Sequence, residues 1–255
     1  MATILGTSTS VLATQSSTQR KIVKTSAGVY VAFAYLGDSV GIKYKTSSDQ
    51  GATWDVSWTD AYTAADIISF SVYIDTNDDI YIAYSLKSNQ YIKFLKLTYS
   101  TGAWTPGSPV AVHGAPYKNP VITKRANGDL WITFGSTTIF VSSYSIDGGA
   151  TWTDKYGYTA SDVKSIAVFP VGSTHWAFVH NGGSIALFKY TTAWGYTAAK
   201  SGTTDAAGCF GGVKLDDTNM WVAASTSSGI IIYYHNGTAF DAGTLISDHA
   251  NDKSP

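Results

Sequence analysis

Ser145-Ile146-Asp147-Gly148-Gly149-Ala150-Thr151-Trp152 repeats, position for position, an earlier stretch, Ser47-Ser48-Asp49-Gln50-Gly51-Ala52-Thr53-Trp54. Both fit Ser-x-Asp-x-Gly-x-Thr-Trp, and the residue types have a physical reason to occur together. A short carboxylate can accept hydrogen bonds from its own turn, glycine allows positive φ, and the closing indole offers a large apolar ring to a neighbouring sheet. Worn versions of the turn follow at Thr101-Gly102-Ala103-Trp104, Thr191-Thr192-Ala193-Trp194 and Asn236-Gly237-Thr238-Ala239-Phe240.

Working outward, each turn is preceded by a short apolar strand with an aromatic at its second position. These are Val29-Tyr30-Val31-Ala32-Phe33, Ile80-Tyr81-Ile82-Ala83-Tyr84, Leu130-Trp131-Ile132-Thr133-Phe134, His175-Trp176-Ala177-Phe178 and Met220-Trp221-Val222-Ala223. From Tyr30 to Tyr81, Trp131, Trp176 and Trp221 the steps are 51, 50, 45 and 45 residues. Turn residues precede each strand, for example Asn77-Asp78-Asp79 and Asn127-Gly128-Asp129, and another short strand precedes those, so each pair reads as a hairpin. A third strand runs into the turn described above, and a more polar fourth segment such as Ser108-Pro109-Val110-Ala111-Val112-His113 leads to the next unit.

Four antiparallel strands every 40–50 residues or so is the period of a β-propeller blade. The expected fold is all-β, a single propeller domain over residues 1–255. Its blades fall near 19–66, 67–115, 116–162, 163–207 and 208–250. Residues 3–18 read as an outer closing strand. Residues 251–255 resemble the entry to the third unit, Tyr117-Lys118-Asn119-Pro120, and read as the start of a further blade in a six-bladed or larger ring, the alternative being a five-bladed ring with redundant ends.

The Ser-x-Asp-x-Gly-x-Thr-Trp turns resemble the Asp box, the bacterial-neuraminidase repeat of the sialidase superfamily, and with the repeat the resemblance covers nearly the whole chain. It implies that Ser47, Asp49, Gly51, Thr53, Trp54, Ser145, Asp147, Gly149, Thr151 and Trp152 are structural. It also implies where catalysis would reside: three arginines clamping a substrate carboxylate, a Tyr–Glu pair as nucleophile and an Asp as acid/base. The chain has Arg20 and Arg125 only, and no Glu among its eighteen acidic residues. Lysine is a poor replacement at a bidentate site. Arg20-Lys21-Ile22 faintly matches the setting of the first clamp arginine, against the simpler reading of a solvated or stacked side chain. No catalytic residue is assigned.

Composition sets further bounds. Charged residues make up 14% of the chain, hydrophobic ones 44% and aromatic ones 14%, with a net charge of −1 and no basic run, which excludes a nucleic-acid footprint. No apolar run approaches the roughly 18 residues of a membrane span, so membrane insertion is not expected. The N-terminus lacks the basic and apolar regions of a signal peptide. Cys209 stands alone and reads as a small buried residue, and His113, His175, His180, His235 and His249 share no metal-ligand spacing, so neither a cofactor nor a metal is expected. Asp38, Asp60, Asp66, Asp129, Asp162, Asp205 and Asp216-Asp217 are the loop-tip carboxylates open to an Asp-based glycosidase, each equally a turn or cap residue. Asn236-Gly237-Thr238 matches a glycosylation sequon but coincides with a worn turn.

Aromatics flanked by small polar residues suit carbohydrate or protein surfaces. Trp58, Tyr62, Tyr117, Tyr156, Tyr158 and Tyr196 are the candidate ligand-binding residues, with packing between blades as the other role open to each. The favoured function is a non-catalytic recognition or structural propeller, extracellular or on a virion surface, binding glycan or protein. The alternatives are a secreted glycoside hydrolase of sialidase-like fold, or a scaffold subunit contacting other copies in an assembly.

Overall fold

The computed structural model describes residues 19–38, 40–63, 66–159, 163–171, 174–181, 183–201, 210–216, 218–226 and 229–247. The expected closing strand at 3–18, Asp162, Asp205, Cys209, Asp217, His249 and residues 251–255 lie outside them, as do the side chains of Tyr156 and Tyr158. Every regular element among the described residues is a strand, and the strands form five antiparallel sheets of the propeller-blade type. The first contains β1 (Ile22–Lys24), β2 (Tyr30–Tyr35), β3 (Ile42–Ser47) and β4 (Thr59–Tyr62), paired in chain order. The second contains β5 (Ile67–Ile74), β6 (Ile80–Leu86), β7 (Ile92–Ser100), β8 (Ala103–Pro106) and β9 (Val110–His113). Its fourth position is shared: β8 pairs with Leu97–Ser100 and β9 with Ile92–Phe94. The interruption is Gly107-Ser108-Pro109, where proline has no N–H for the ladder.

The third sheet contains β10 (Lys118–Lys124), β11 (Leu130–Gly135), β12 (Ile139–Ser145) and β13 (Thr153–Thr159). The fourth contains β14 (Ser165–Val171), β15 (Thr174–His180), β16 (Ser184–Tyr190) and β17 (Trp194–Ser201). The fifth contains β18 (Phe210–Lys214), β19 (Met220–Thr226), β20 (Gly229–His235) and β21 (Thr244–Ser247).

The hairpin turns fix the register and correct the sequence alignment of the first unit. Thr25 N–H bonds Val29 O, Asp75 N–H bonds Asp79 O, Arg125 N–H bonds Asp129 O and Leu215 N–H bonds Asn219 O. Tyr30 is therefore level with Ile80, Leu130 and Met220, and Val31 is the counterpart of Tyr81, Trp131 and Trp221. The reason is the period of two along a strand: a shift of one residue moves a side chain to the other face. Val31 is fully buried, while Tyr30 lies on the opposite face under the Lys24 ammonium at 5.3 Å.

The chain divides into two compact units, one holding Gln19–Ile122 and the other starting at Thr123, inside β10. In the first unit, Val31, Phe33 and Tyr44 of the first sheet form one core with Phe70, Val72, Ile80, Ile82, Leu95 and Leu97 of the second. The turn aromatic Trp104 closes this joint, edge-on to Tyr44 at 5.6 Å, with its indole N–H donated to Asp78 O at 2.8 Å. Buried Asp78 also accepts the Ser26 N–H and hydroxyl, both at 2.7 Å, tying the two hairpin turns together. In the second unit, Trp131 stacks on His175 at 4.9 Å and meets Tyr190 at 4.8 Å. Phe140 meets Phe188 at 4.8 Å and Trp194 at 5.1 Å. Between the fourth and fifth sheets, Phe240 packs on Phe178 at 6.0 Å. Gly212 lets the sheets approach there, since a Cβ would meet Phe169 and Phe178 at 3.2 Å.

Candidate functional site

Each blade-like sheet has two ends: one bears its hairpin turn and the third-to-fourth-strand turn, the other bears the second-to-third-strand loop. At the first end the two Ser-x-Asp turns have the same internal geometry. Asp147 Oδ1 accepts from the Ser145 hydroxyl at 2.7 Å and the Thr151 N–H at 2.9 Å, and its Oδ2 accepts from the Thr151 hydroxyl at 2.5 Å. Asp49 does the same with Ser47 at 2.8 Å and with Thr53 at 2.8 and 2.6 Å. Gly149 and Gly51 donate their N–H to the serine hydroxyls at 2.8 Å and sit at φ 98° and 91°, a conformation glycine adopts without strain. The indoles of Trp152 and Trp54 donate back to Gly149 O at 3.0 Å and Gly51 O at 3.1 Å. Three donors on each carboxylate favour its charged form, so the Thr53 contacts hold Asp49 down to about 2, and the Thr151 contacts hold Asp147 well below the usual range. Such carboxylates have little basicity left for proton transfer. The ring-in-joint role expected of the turn aromatic is filled by Trp104, Trp194 and Phe240.

At the opposite end, the first unit gathers polar and aromatic side chains from four segments. Lys87, just after β6, places its ammonium 2.7 Å from Asp38 Oδ1, in the β2–β3 loop. The Tyr35 hydroxyl, at the end of β2, donates to the same oxygen, and the Asp66 N–H reaches it at 3.3 Å. Asp66 Oδ2 in turn accepts the Ser88 N–H at 2.9 Å. Lys87 also lies 5.7 Å over the Tyr35 ring, and Tyr62 packs against Tyr84 at 5.4 Å beside it. Tyr91, on the same loop as Lys87, is 39% exposed. The Tyr35–Asp38 contact looks on paper like a nucleophile and its base, yet the electrostatics run the other way. Burial, then Asp38, raises the Tyr35 phenol to about 12. Lys87 first, then Tyr35, lowers Asp38 to about 2, so the phenol keeps its proton and the carboxylate does not seek one.

The sequence candidates do not converge. Trp58, half-buried before β4, lies under the Lys45 ammonium at 5.2 Å at the turn end of the first sheet. Tyr62 is at the other end of β4, in the cluster above. Tyr117 is buried, its N–H bonded to Gln90 O and its ring edge-on to His113 at 4.9 Å. Tyr156 and Tyr158 lie on β13. Tyr196 on β17 is 54% exposed and leans on Phe188 at 5.9 Å. Among the loop-tip carboxylates, Asp60 pairs with Lys43 at 2.7 Å, Asp129 faces Arg125 at 3.8 Å, and Asp216 caps its own turn through Thr218 and Asn219. Arg20 lies 5.8 Å over the Tyr73 ring, while Lys21 turns inward to Gln19 and the Phe70 carbonyl, where burial lowers its pKa well below the usual amine value. The grouping of Tyr35, Asp38 and Lys87 is not readable in the sequence, because Lys87 lies 49 positions after Asp38.

No protein-family profile matches the sequence, and no curated protein matches it. Solved structures do match. A protein of unknown function from Dyadobacter fermentans is 14% identical, with a TM-score of 0.60 over 85% of this chain and 78% of its own. A Trypanosoma rangeli sialidase in complex with the inhibitor DANA is 15% identical, with a TM-score of 0.58 over 90% of this chain. This chain spans only 49% of that enzyme's length. A lectin of Aleuria aurantia in complex with α-methyl-L-fucoside is 12% identical, with a TM-score of 0.61 over 88% of this chain and 76% of the lectin. At these identities the likeness establishes architecture alone: the chain has the β-propeller fold that a sialidase and a fucoside-bound lectin also have.

Proposed function

We propose that this chain is a recognition propeller that binds glycans without cleaving them, displayed on an extracellular particle such as a virion. The observation that carries the reading is the engagement of its two arginines. Arg20 lies 5.8 Å over the Tyr73 ring, and Arg125 lies 5.4 Å over Trp131 with Asp129 3.8 Å away, so each guanidinium is engaged within its own unit, and two arginines are too few for a clamp of three on a substrate carboxylate. The chain contains no Glu to activate a tyrosine. Burial first, and then the neighbouring Asp38 and Asp75 carboxylates, raise the Tyr35 and Tyr81 phenols of the first unit, opposite to what a nucleophile needs. In this reading the Ser-x-Asp turns are Asp boxes that fasten the sheets and leave the other end for contact. Uncharged aromatic and hydroxyl surface suits sugar rings, and the fold shared with a fucoside-bound lectin supports that class of ligand.

The test pairs a glycan array with a fluorogenic sialoside assay on the purified full chain. Retention on a defined subset of glycans, with no fluorophore released above blank, is the expected outcome. Turnover that survives purification and disappears in Tyr35→Phe would refute the non-catalytic reading. Absence of binding to every glycan would refute the ligand class.

A further inference from the structure

The turn Asn236-Gly237-Thr238-Ala239-Phe240, which leaves β20 for β21, places a base, a nucleophile and an electrophile side by side. The Gly237 N–H donates to His235 Nδ1 at 3.1 Å. The Asn236 carboxamide oxygen accepts the Thr238 and Ala239 N–H groups, each at 3.0 Å. His235 is fully buried, and its ring is held edge-on to Phe240 at 4.9 Å. Burial lowers the His235 pKa against an opposing backbone bond at Thr238, so near neutral pH the ring is uncharged. Since Nδ1 accepts, the ring proton lies on Nε2. All of these contacts close between His235 and Phe240.

An asparagine carboxamide and the next backbone nitrogen are joined through Cβ, Cα and the carbonyl carbon, so a bond between them closes a five-membered ring. Glycine leaves that nitrogen with no side chain beside it to block the approach. We propose that Asn236 is a site of self-modification, at which His235 promotes conversion of the carboxamide to a carboxylate through a cyclic imide. His235 Nδ1 takes the Gly237 proton as the Gly237 nitrogen bonds to Asn236 Cγ. The charge that develops on Oδ1 falls on the oxygen already facing the Thr238 and Ala239 N–H groups. The Cγ–Nδ2 bond then breaks, and ammonia leaves with the proton that the imidazole returns. Water opens the imide at Cγ to aspartate, or at the backbone carbonyl to isoaspartate, so the net change is water taken up and ammonia released. Aspartate at position 236 offers the same two N–H groups a charged acceptor, as Asp147 does for Thr151.

Asn127-Gly128 is the same dipeptide without these parts. The Gly128 N–H donates to the Arg125 carbonyl, which is no base, and the Asn127 amide nitrogen is held by Asp129 at 2.7 Å. Peptide mapping by mass spectrometry of the full chain, aged at neutral pH, follows both asparagines at once. In the folded chain Asn236 should convert about 10²-fold faster than Asn127, the lower end of what a positioned base contributes. In guanidinium chloride the two rates should come together. His235→Asn keeps an acceptor and removes the base, so it should slow conversion at position 236 by a similar factor. Equal rates at the two asparagines of the folded chain overturn the proposal. So does a rate at Asn236 below its own rate in denaturant, since the turn bonds then only lock the side chain. Those comparisons need no variant, so they decide even where His235→Asn fails to fold. A His235→Asn chain that folds, checked by circular dichroism, and converts as fast as the wild type also overturns it.

Discussion

Trp194→Ala separates a ring that fills a joint from a ring that decorates a strand, because Tyr196 lies two positions along the same β17. Trp194 is 8% exposed and is enclosed by Phe140 at 5.1 Å, Tyr190 at 5.6 Å and His175 at 6.0 Å. Truncating such a side chain typically costs about 3–5 kcal/mol, since rigid aromatic walls cannot collapse into the space. That is a large part of the roughly 5–15 kcal/mol that holds a domain folded. At about 2–4 °C per kcal/mol for a domain of this size, the melt should fall by roughly 6–20 °C. Tyr196 is 54% exposed, and Tyr196→Ala should move the melt by a small fraction of that. A third variant sharpens the reasoning. The Trp194 indole N–H is buried with no acceptor among the described residues, whereas that of Trp104 donates to Asp78 O. An unsatisfied buried donor costs about 1–3 kcal/mol, so Trp194→Phe offsets lost ring contact by removing it, and Trp104→Phe does not. Thermal melts by near-ultraviolet circular dichroism would record all four. If the alanine variants at 194 and 196 melt together, the wedge between the third and fourth sheets is not what holds that joint.

Asp147→Ala should lower the melting temperature while leaving glycan retention intact, and a variant of unchanged stability that no longer binds would reverse the structural assignment of this turn. Asp78→Ala removes both bonds from Ser26, and bonds to a charged acceptor contribute about 1.5–3 kcal/mol each, not additively, so denaturant unfolding should show a loss of that order. Burial, then Arg125, holds the His175 imidazole near 3, below its ordinary 6.5, so the unfolded chain takes up the proton first. Stability should be full above about pH 6.5 and decline below it by up to about 1.4 kcal/mol per pH unit, a slope that His175→Phe should flatten in melts recorded from pH 8 to 5. The Asp boxes act in a separate window: Asp49 is held near 2, so its contribution is present above its ordinary 3.8 and is lost only as the pH falls toward 2.

What could be read from the sequence is what closes over short distances along the chain. The Ser-x-Asp turn is legible because all its bonds join residues within four positions of the aspartate or serine, so the residue pattern is the structure. The hairpins are legible for the same reason. The register of the first unit is not, since Val29-Tyr30-Val31 offers an aromatic next to the position that counts, and only the Thr25–Val29 turn bond shows which residue faces the core. In the sequence Asp78 looks like one of three equivalent turn residues, because its partner Ser26 lies 52 positions away. The same distance problem hides the Asp38–Lys87 pair. A position outside the apparent core strands, which the six aromatic candidates share in the sequence, does not distinguish buried Tyr117 from exposed Tyr196.

The absence of Glu and the placement of lysines belong to one design. An aspartate in a turn must reach its own backbone and a hydroxyl two to four residues away, as Asp49, Asp147 and Asp216 do, and one more methylene would carry the carboxylate past those donors. With many acids held this way, several lysines find partners in rings instead: Lys45 over Trp58, Lys189 and Lys214 over Trp176, Lys200 over Tyr233. An ammonium over a ring covers apolar surface with its stem while keeping its charge near water. Within the second unit the fourth and fifth sheets are thus joined by aromatic contacts that the stems of Lys200 and Lys214 help to seal. On the proposed reading, the aromatic and hydroxyl surface of this chain discriminates by ring shape and hydroxyl pattern, which is the chemistry of sugars more than of nucleic acids or acidic substrates.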